Sequence, residues 1–352
     1  MRGVGLSLAA AAIYGILAPA AKGALAHIEP VRAAGLTYLA AGCVTLVALL
    51  LRALIGRRPS RGRITRRDVP RLLGMTLLGG VLGPVMFFEG VQRVASHHAA
   101  IVQHLEFAFT VLAAVLVLGE RVGRRGVFGL FLLLIGLMVF SLPGPASGGQ
   151  LSSTSWRGLL LLVAACSAWA GDNILTRGAS RLDPLVVVTI KGFGGGSALL
   201  LGTLGASWSL PPRAWMLVML AGGGGVGLSL VLELLALRRI GAALNAGLFA
   251  AGPAFGFLWS LLFLGERAGT FGWLALLSCA AGAVALSIDR HGHQHHHDPI
   301  GHTHWHDHLD EHHTHMHGPE FAPGISHVHE HEHEATTHAH PHEHDEHHRH
   351  RH

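Results

Sequence analysis

The chain has 352 residues, half of them apolar and only 13% charged, with a mean hydropathy of +0.42. That balance excludes a soluble core of ordinary composition and points to a membrane. The net charge of +5 hides two opposed parts: residues 1–288 carry 23 basic and 9 acidic side chains (net +14) and residues 289–352 carry 3 and 12 (net −9), so the basic balance belongs to loops and does not point to nucleic acid.

Ten apolar runs follow one another, at about 5–26, 31–52, 70–92, 97–118, 126–142, 157–177, 184–205, 213–236, 242–264 and 270–288. Most have the length a bilayer requires, roughly 20 residues. The first is long enough to be a retained helix and not a signal peptide. After the second run comes the richest basic loop, with Arg52, Arg57, Arg58, Arg61, Arg63, Arg66, Arg67 and Arg71. The positive-inside rule puts it in the cytoplasm, and counting crossings from there puts both termini there too. Cys43, Cys166 and Cys279 fall in three separate runs without a CxxC and are expected to be small core residues.

Two stretches repeat: Leu118-Gly119-Glu120-Arg121 and Leu264-Gly265-Glu266-Arg267. A shift of 146 residues lays Phe87–Ser141 on Glu233–Ser287 without a gap, matching Arg93 with Arg239, Phe109 with Phe255, Gly136 with Gly282 and Ser141 with Ser287. This is the pattern of a duplicated membrane unit. Five runs per copy force the second copy to cross the bilayer upside down, an inverted repeat. The Pro/Gly/Ser-rich stretch 143–155 reads as the outer linker between the halves.

Ten helices in two inverted five-helix copies, each with Leu-Gly-Glu-Arg between its fourth and fifth helices, resemble the EamA-type drug/metabolite transporter superfamily. The copy starts agree, with Tyr14-Gly15, Lys22 and Pro30 answering Trp169-Ala170, Arg177 and Pro184. The resemblance covers 1–288. It implies a substrate cavity between helices 1–4 and 6–9, peripheral fifth and tenth helices, and a structural role for Gly119, Glu120, Arg121, Gly265, Glu266 and Arg267. Residue by residue, each glutamate ends one helix at a tight turn, beside an arginine and loop donors.

Charge deep in a bilayer is costly and usually functional. Gln103 and Glu106 share a face near the middle of the fourth run, since three residues turn a helix by about 300°. Lys191 lies mid-way along the seventh run, Trp169, Asp172 and Asn173 in the sixth, and Asn245 at the start of the ninth. These seven are the candidate cavity. A carboxylate among them can couple a proton to transport; alternatively, Glu106 and Lys191 form an ion pair that only fixes packing. Glu89 and Glu233 sit nearer helix ends, within reach of the interface. His97 and His104 are about 10 Å apart along the helix, too far to chelate one ion, and His104 is either a packed side chain or a pore ligand. The glycine-rich stretches at 192–196 and 222–227 lack the Lys-Ser/Thr of a phosphate loop and suit close helix packing or a flexible, rocking helix.

The segment 289–352 holds 25 of the 29 histidines, mixed with acids and almost without aliphatics. Unable to bury a core, it is expected to be disordered. His302, His304, His306 and His308, and His327, His329, His331 and His333, alternate with other residues. That spacing lets a chain wrap imidazoles around Zn²⁺, Ni²⁺ or Co²⁺.

The sequence therefore reads as an all-α polytopic membrane protein with a disordered tail: first repeat 1–142, linker 143–155, second repeat 156–288, tail 289–352. The function expected is secondary transport by alternating access, for a small metabolite or a divalent metal ion. The competing reading is a metal- or pH-responsive sensor anchored by the helices. No catalytic cluster marks an enzyme, and no cofactor is required beyond metal on the tail. The expected setting is a bacterial inner membrane, with lipid and cargo as partners and a homodimer left open.

Overall fold

The computed structural model describes residues 2–55, 64–118, 123–141, 155–177, 179, 182–205, 209–240, 245, 248–287, 292–297, 300–306, 327–333 and 336–341. They form two compact units, Met1–Asp289 and Arg290–His352. The linker, apart from Ser155, lies outside the described residues.

The first unit is helical: α1 (Gly3–Ala24), α2 (Pro30–Leu54), α3 (Arg66–Arg93), α4 (Ser96–Val117), α5 (Arg124–Ser141), α6 (Trp156–Arg177), α7 (Pro184–Leu201), α8 (Pro212–Ala236), α9 (Gly252–Leu264) and α10 (Thr270–Ser287). Among the described residues, α1–α4 and α6–α8 make seven helices long and apolar enough to span a membrane, and α9 and α10 contain shorter apolar helices. Proline opens α2, α7 and α8, where its fixed φ suits the first turn and its missing N–H costs nothing. Asp183 adds a cap at α7 by accepting from the Leu185 amide at 3.0 Å, and its other oxygen pairs with Arg52 at 2.6 Å, tying α7 to the far end of α2.

Helices α2 and α7 pack antiparallel. Gly35 meets Leu200, Gly42 meets Gly192, and the Thr45 and Thr189 hydroxyls lie 2.9 Å apart. Helices α5 and α10 do the same, with Gly136 against Cys279, Gly282 against Gly129, and Ser278 donating to the Leu132 carbonyl at 2.7 Å. Leu132 and Ser278 are 146 residues apart, so matching positions of the two sequence copies touch each other. Small residues let these backbones close up where lipid gives no hydrophobic drive for association. The glycine stretches serve the same end: a methyl on Gly195 would sit 2.3 Å from the Gly80 carbonyl, and one on Gly222 would sit 2.0 Å from that of Thr37.

Two features depart from the expected plain helices. Both α3 and α8 contain a π-helical stretch, Thr76–Leu82 and Leu220–Leu228, and the shift of 146 lays the first inside the second. Such stretches are rare and mark functional bends. Helix α1 is interrupted by a turn at Gly15-Ile16, and α4 is interrupted at His104. Cys166 and Cys279 are buried as expected, but Cys43 is exposed; an apolar run in a membrane can face outward as readily as inward. It shares that exterior with Leu50, Leu54, Phe131, Leu262 and Phe263.

The second unit lies in the histidine-rich segment, most of which is outside the described residues. Its described residues are strands: β1 (Gly292–His297) pairs antiparallel with β4 (Thr336–Pro341), and β2 (Ile300–His306) with β3 (His327–His333).

A charged cavity among the helices

A cavity of about 360 Å³ lies among α1–α4 and α6–α8, with Phe249 and Pro253 closing one side. Six of the seven candidate residues line it: Gln103, Glu106, Trp169, Asp172, Asn173 and Lys191. Asn245 does not. It is buried with its backbone carbonyl accepting from the Ser7 hydroxyl at 3.3 Å, and its side-chain oxygen has no partner.

The ion pair is not the one expected. Lys191 bonds Asp172, and both side chains are buried. Glu106 instead accepts from the Asn173 amide at 3.1 Å, and the same amide reaches Thr110 at 3.2 Å. Rotation decides this: Asn173 is the residue that α6 presents to α4, which leaves Asp172 for α7. Gly79 of the π stretch makes room for the pair, since a methyl there would come within 2.1 Å of an Asp172 oxygen. The second Asp172 oxygen and the Gln103 amide nitrogen are buried without partners. Both are groups of the cavity wall, where an unmet donor or acceptor costs free energy until something bonds it.

Four further polar residues among the described ones line the cavity: Tyr14, Tyr38, Ser229 and Glu233. Glu233 was expected nearer the interface, but α8 continues as helix to Ile240, which leaves Glu233 well inside. Val226, Ser229 and Glu233 all line the cavity, and their spacing of three and four residues is the signature of one helix face.

The profile of the EamA-like transporter family matches residues 1–142 and 156–288. The chain belongs to the EamA-like transporter family. It is therefore a multi-pass membrane protein of a transporter family. A relative from Methanothermobacter thermautotrophicus (strain Delta H), described as an uncharacterized transporter, is 27% identical over 269 residues, 74% of this chain and 78% of its own. A crystal structure titled only as that of a protein shares the fold, with a TM-score of 0.57 and 21% identity over 81% of this chain and 96% of that one.

In this EamA-like chain the first Leu-Gly-Glu-Arg turn (Gly119, Glu120, Arg121) lies outside the described residues. The second is described, and its glutamate does more than close its own turn. Gly265 ends α9 in the left-handed region at φ 63°, where a side chain would be strained. Glu266 then accepts from the Ser96 and His97 amides at 2.8 and 2.9 Å and contacts His97 Nδ1 at 2.6 Å. It caps the start of α4, a helix of the other sequence copy. The neighbouring Arg267 is exposed; His97 is the side chain that meets the carboxylate. His104 is buried outside the cavity lining, with Nδ1 3.2 Å from the Ile101 carbonyl and Nε2 without a partner.

On the tail, the register sets His302 opposite His331, His304 opposite His329, His306 opposite His327 and Ile300 opposite His333. His308 lies outside the described residues.

Proposed function

We propose that the chain is a secondary transporter that works by alternating access of two inverted halves, 1–142 and 156–288, joined by the linker 143–155 in a bacterial inner membrane, with both termini in the cytoplasm. The carrying observation is a charged cavity enclosed by helices of both halves, of a size that suits a small molecule. The antiparallel pairing of α2 with α7 and of α5 with α10, and the matching π stretches, support a rocking motion of like halves. Glu106 is the group proposed to couple a proton to transport. It lines the cavity with an amide as its partner and no cation bonded to it, in a wall it shares with Asp172, Lys191, Glu233, Tyr14 and Tyr38. The cargo is a small metabolite or a divalent metal. The tail binds Zn²⁺, Ni²⁺ or Co²⁺ through its alternating histidines, His302, His304, His306 and His308 with His327, His329, His331 and His333.

The test is flux into proteoliposomes loaded with a pH-sensitive dye, screened with a metabolite panel and with Zn²⁺, Ni²⁺ and Co²⁺. The transported cargo should shift the internal pH. Glu106→Gln should lower that coupled flux about 100-fold, as loss of a proton-transferring group does, while the protein still elutes as a folded species. Full coupled flux in the variant would remove Glu106 from the mechanism. A chain ending at Ser287 should lose its tight zinc binding in equilibrium dialysis and keep its cavity. Unchanged zinc stoichiometry would take the metal site off the tail.

A further inference from the structure

The geometry points to an organic ammonium compound as the cargo of the cavity, held by Glu106 and Glu233; this rests on the transporter reading and narrows it. Among the described lining residues there are three carboxyl groups, Glu106, Asp172 and Glu233, and one ammonium, Lys191. That ammonium is already bonded to Asp172. Among the described lining residues no cation is hydrogen-bonded to Glu106 from α4 or Glu233 from α8, and charge in a low-dielectric interior is costly until a counter-charge is bound. The missing partner is a cation that comes and goes.

The rest of the wall says which kind. Tyr14, Tyr38, Phe107, Trp169 and Phe249 line the space, and aromatic rings attract an alkylated ammonium through the ring quadrupole. Gln103 offers its unpartnered amide N–H to an acceptor elsewhere on the cargo. A transition metal would call for imidazole or thiolate ligands, and none of the lining residues is His or Cys. Among the described residues of the helices no three His, Cys, Asp or Glu side chains stand close enough to hold a metal ion. The volume, about 360 Å³, is that of a small organic molecule and far exceeds a bare ion. The cavity lining thus suits an organic cation better than a transition metal.

The test uses the full-length protein in lipid nanodiscs, titrated calorimetrically with two matched series: n-butylammonium, 1-butanol and butyrate, and phenethylammonium, 2-phenylethanol and phenylacetate, with empty nanodiscs as the blank. In each series the cation should bind at least ten-fold more tightly than its neutral and anionic partners. Glu233→Gln and Glu106→Gln should each remove at least ten-fold of that preference, which separates the cavity from the acidic tail. Equal binding of cation and alcohol to the unmodified protein would overturn the inference, as would a preference untouched in both variants. The two readings fail separately. Cation binding without any flux sinks the carrier and leaves the site, whereas coupled flux of an anionic or uncharged cargo sinks the ammonium site and leaves the carrier.

Discussion

Lys191→Met should cost the protein about 3–5 kcal/mol of stability, the usual penalty for removing one partner of a buried ion pair. The pair spans α6 and α7, and both side chains are almost wholly shielded, at 14% and 7% relative exposure. With the ammonium gone, one Asp172 oxygen loses its ion-pair partner and the other already lacks a hydrogen bond. Space on the α3 side is closed, because Gly79 already lies against that carboxylate. The free energy lost is therefore mainly that of a stranded charge and not the net strength of the bond. This reasoning fixes the companion result. Asp172→Asn combined with Lys191→Met removes both charges at once and should recover most of the loss, because an uncharged pair of similar volume leaves nothing to desolvate. The measurement is a double-mutant cycle from denaturation midpoints in mixed micelles. A double variant as unstable as the worse single variant would mean that the two groups act independently, and the pair would lose its place as the electrostatic anchor of the cavity.

That pair also shows where sequence reading reaches its limit. The apolar runs placed the helices, because length and composition are the properties a bilayer selects. Burial in those runs also marked six residues that line one cavity. Pairing inside the cavity was not legible. Whether Lys191 meets Glu106 or Asp172 depends on the rotation of α6 and α7 about their axes, and an apolar run does not encode rotation. Glu233 was missed for a related reason. The run around it ends at 236, which set it three residues from an apparent end, and its counterpart in the first copy is Phe87, so comparing the copies flagged no carboxylate. The one available signal was the helical spacing of Val226, Ser229 and Glu233. Tyr14 stood in view only as a landmark of the copy start. The π stretches have no sequence signature beyond glycine, which serves many purposes.

Glu266→Ala is expected to be the most damaging substitution outside the cavity, at about 2–4 kcal/mol. The figure combines a lost helix cap, about 1–2 kcal/mol, with a charge-assisted contact to His97 in the range of 1.5–3 kcal/mol, allowing for overlap between the two. The geometry makes the carboxylate hard to replace. Its two oxygens take the Ser96 and His97 amides separately, and its negative charge sits at the positive end of α4. Glutamine retains one acceptor and loses the charge, so Glu266→Gln should fall between wild type and alanine. The pH dependence gives a second handle. Burial alone would raise the Glu266 carboxyl above its ordinary value of 4.5, but hydrogen bonds from the His97 ring and from the two amides outweigh burial and hold it below that value. A group depressed on folding stabilises fully above its unfolded value, and the contribution disappears as pH falls through the lower folded value. The gap in melting temperature between wild type and Glu266→Gln should therefore be widest near neutral pH and close in acid below 4.5. A gap that stays constant across that range would assign the loss to packing. The charge at the start of α4 would then carry none of the tie between the second Leu-Gly-Glu-Arg turn and the first half of the molecule.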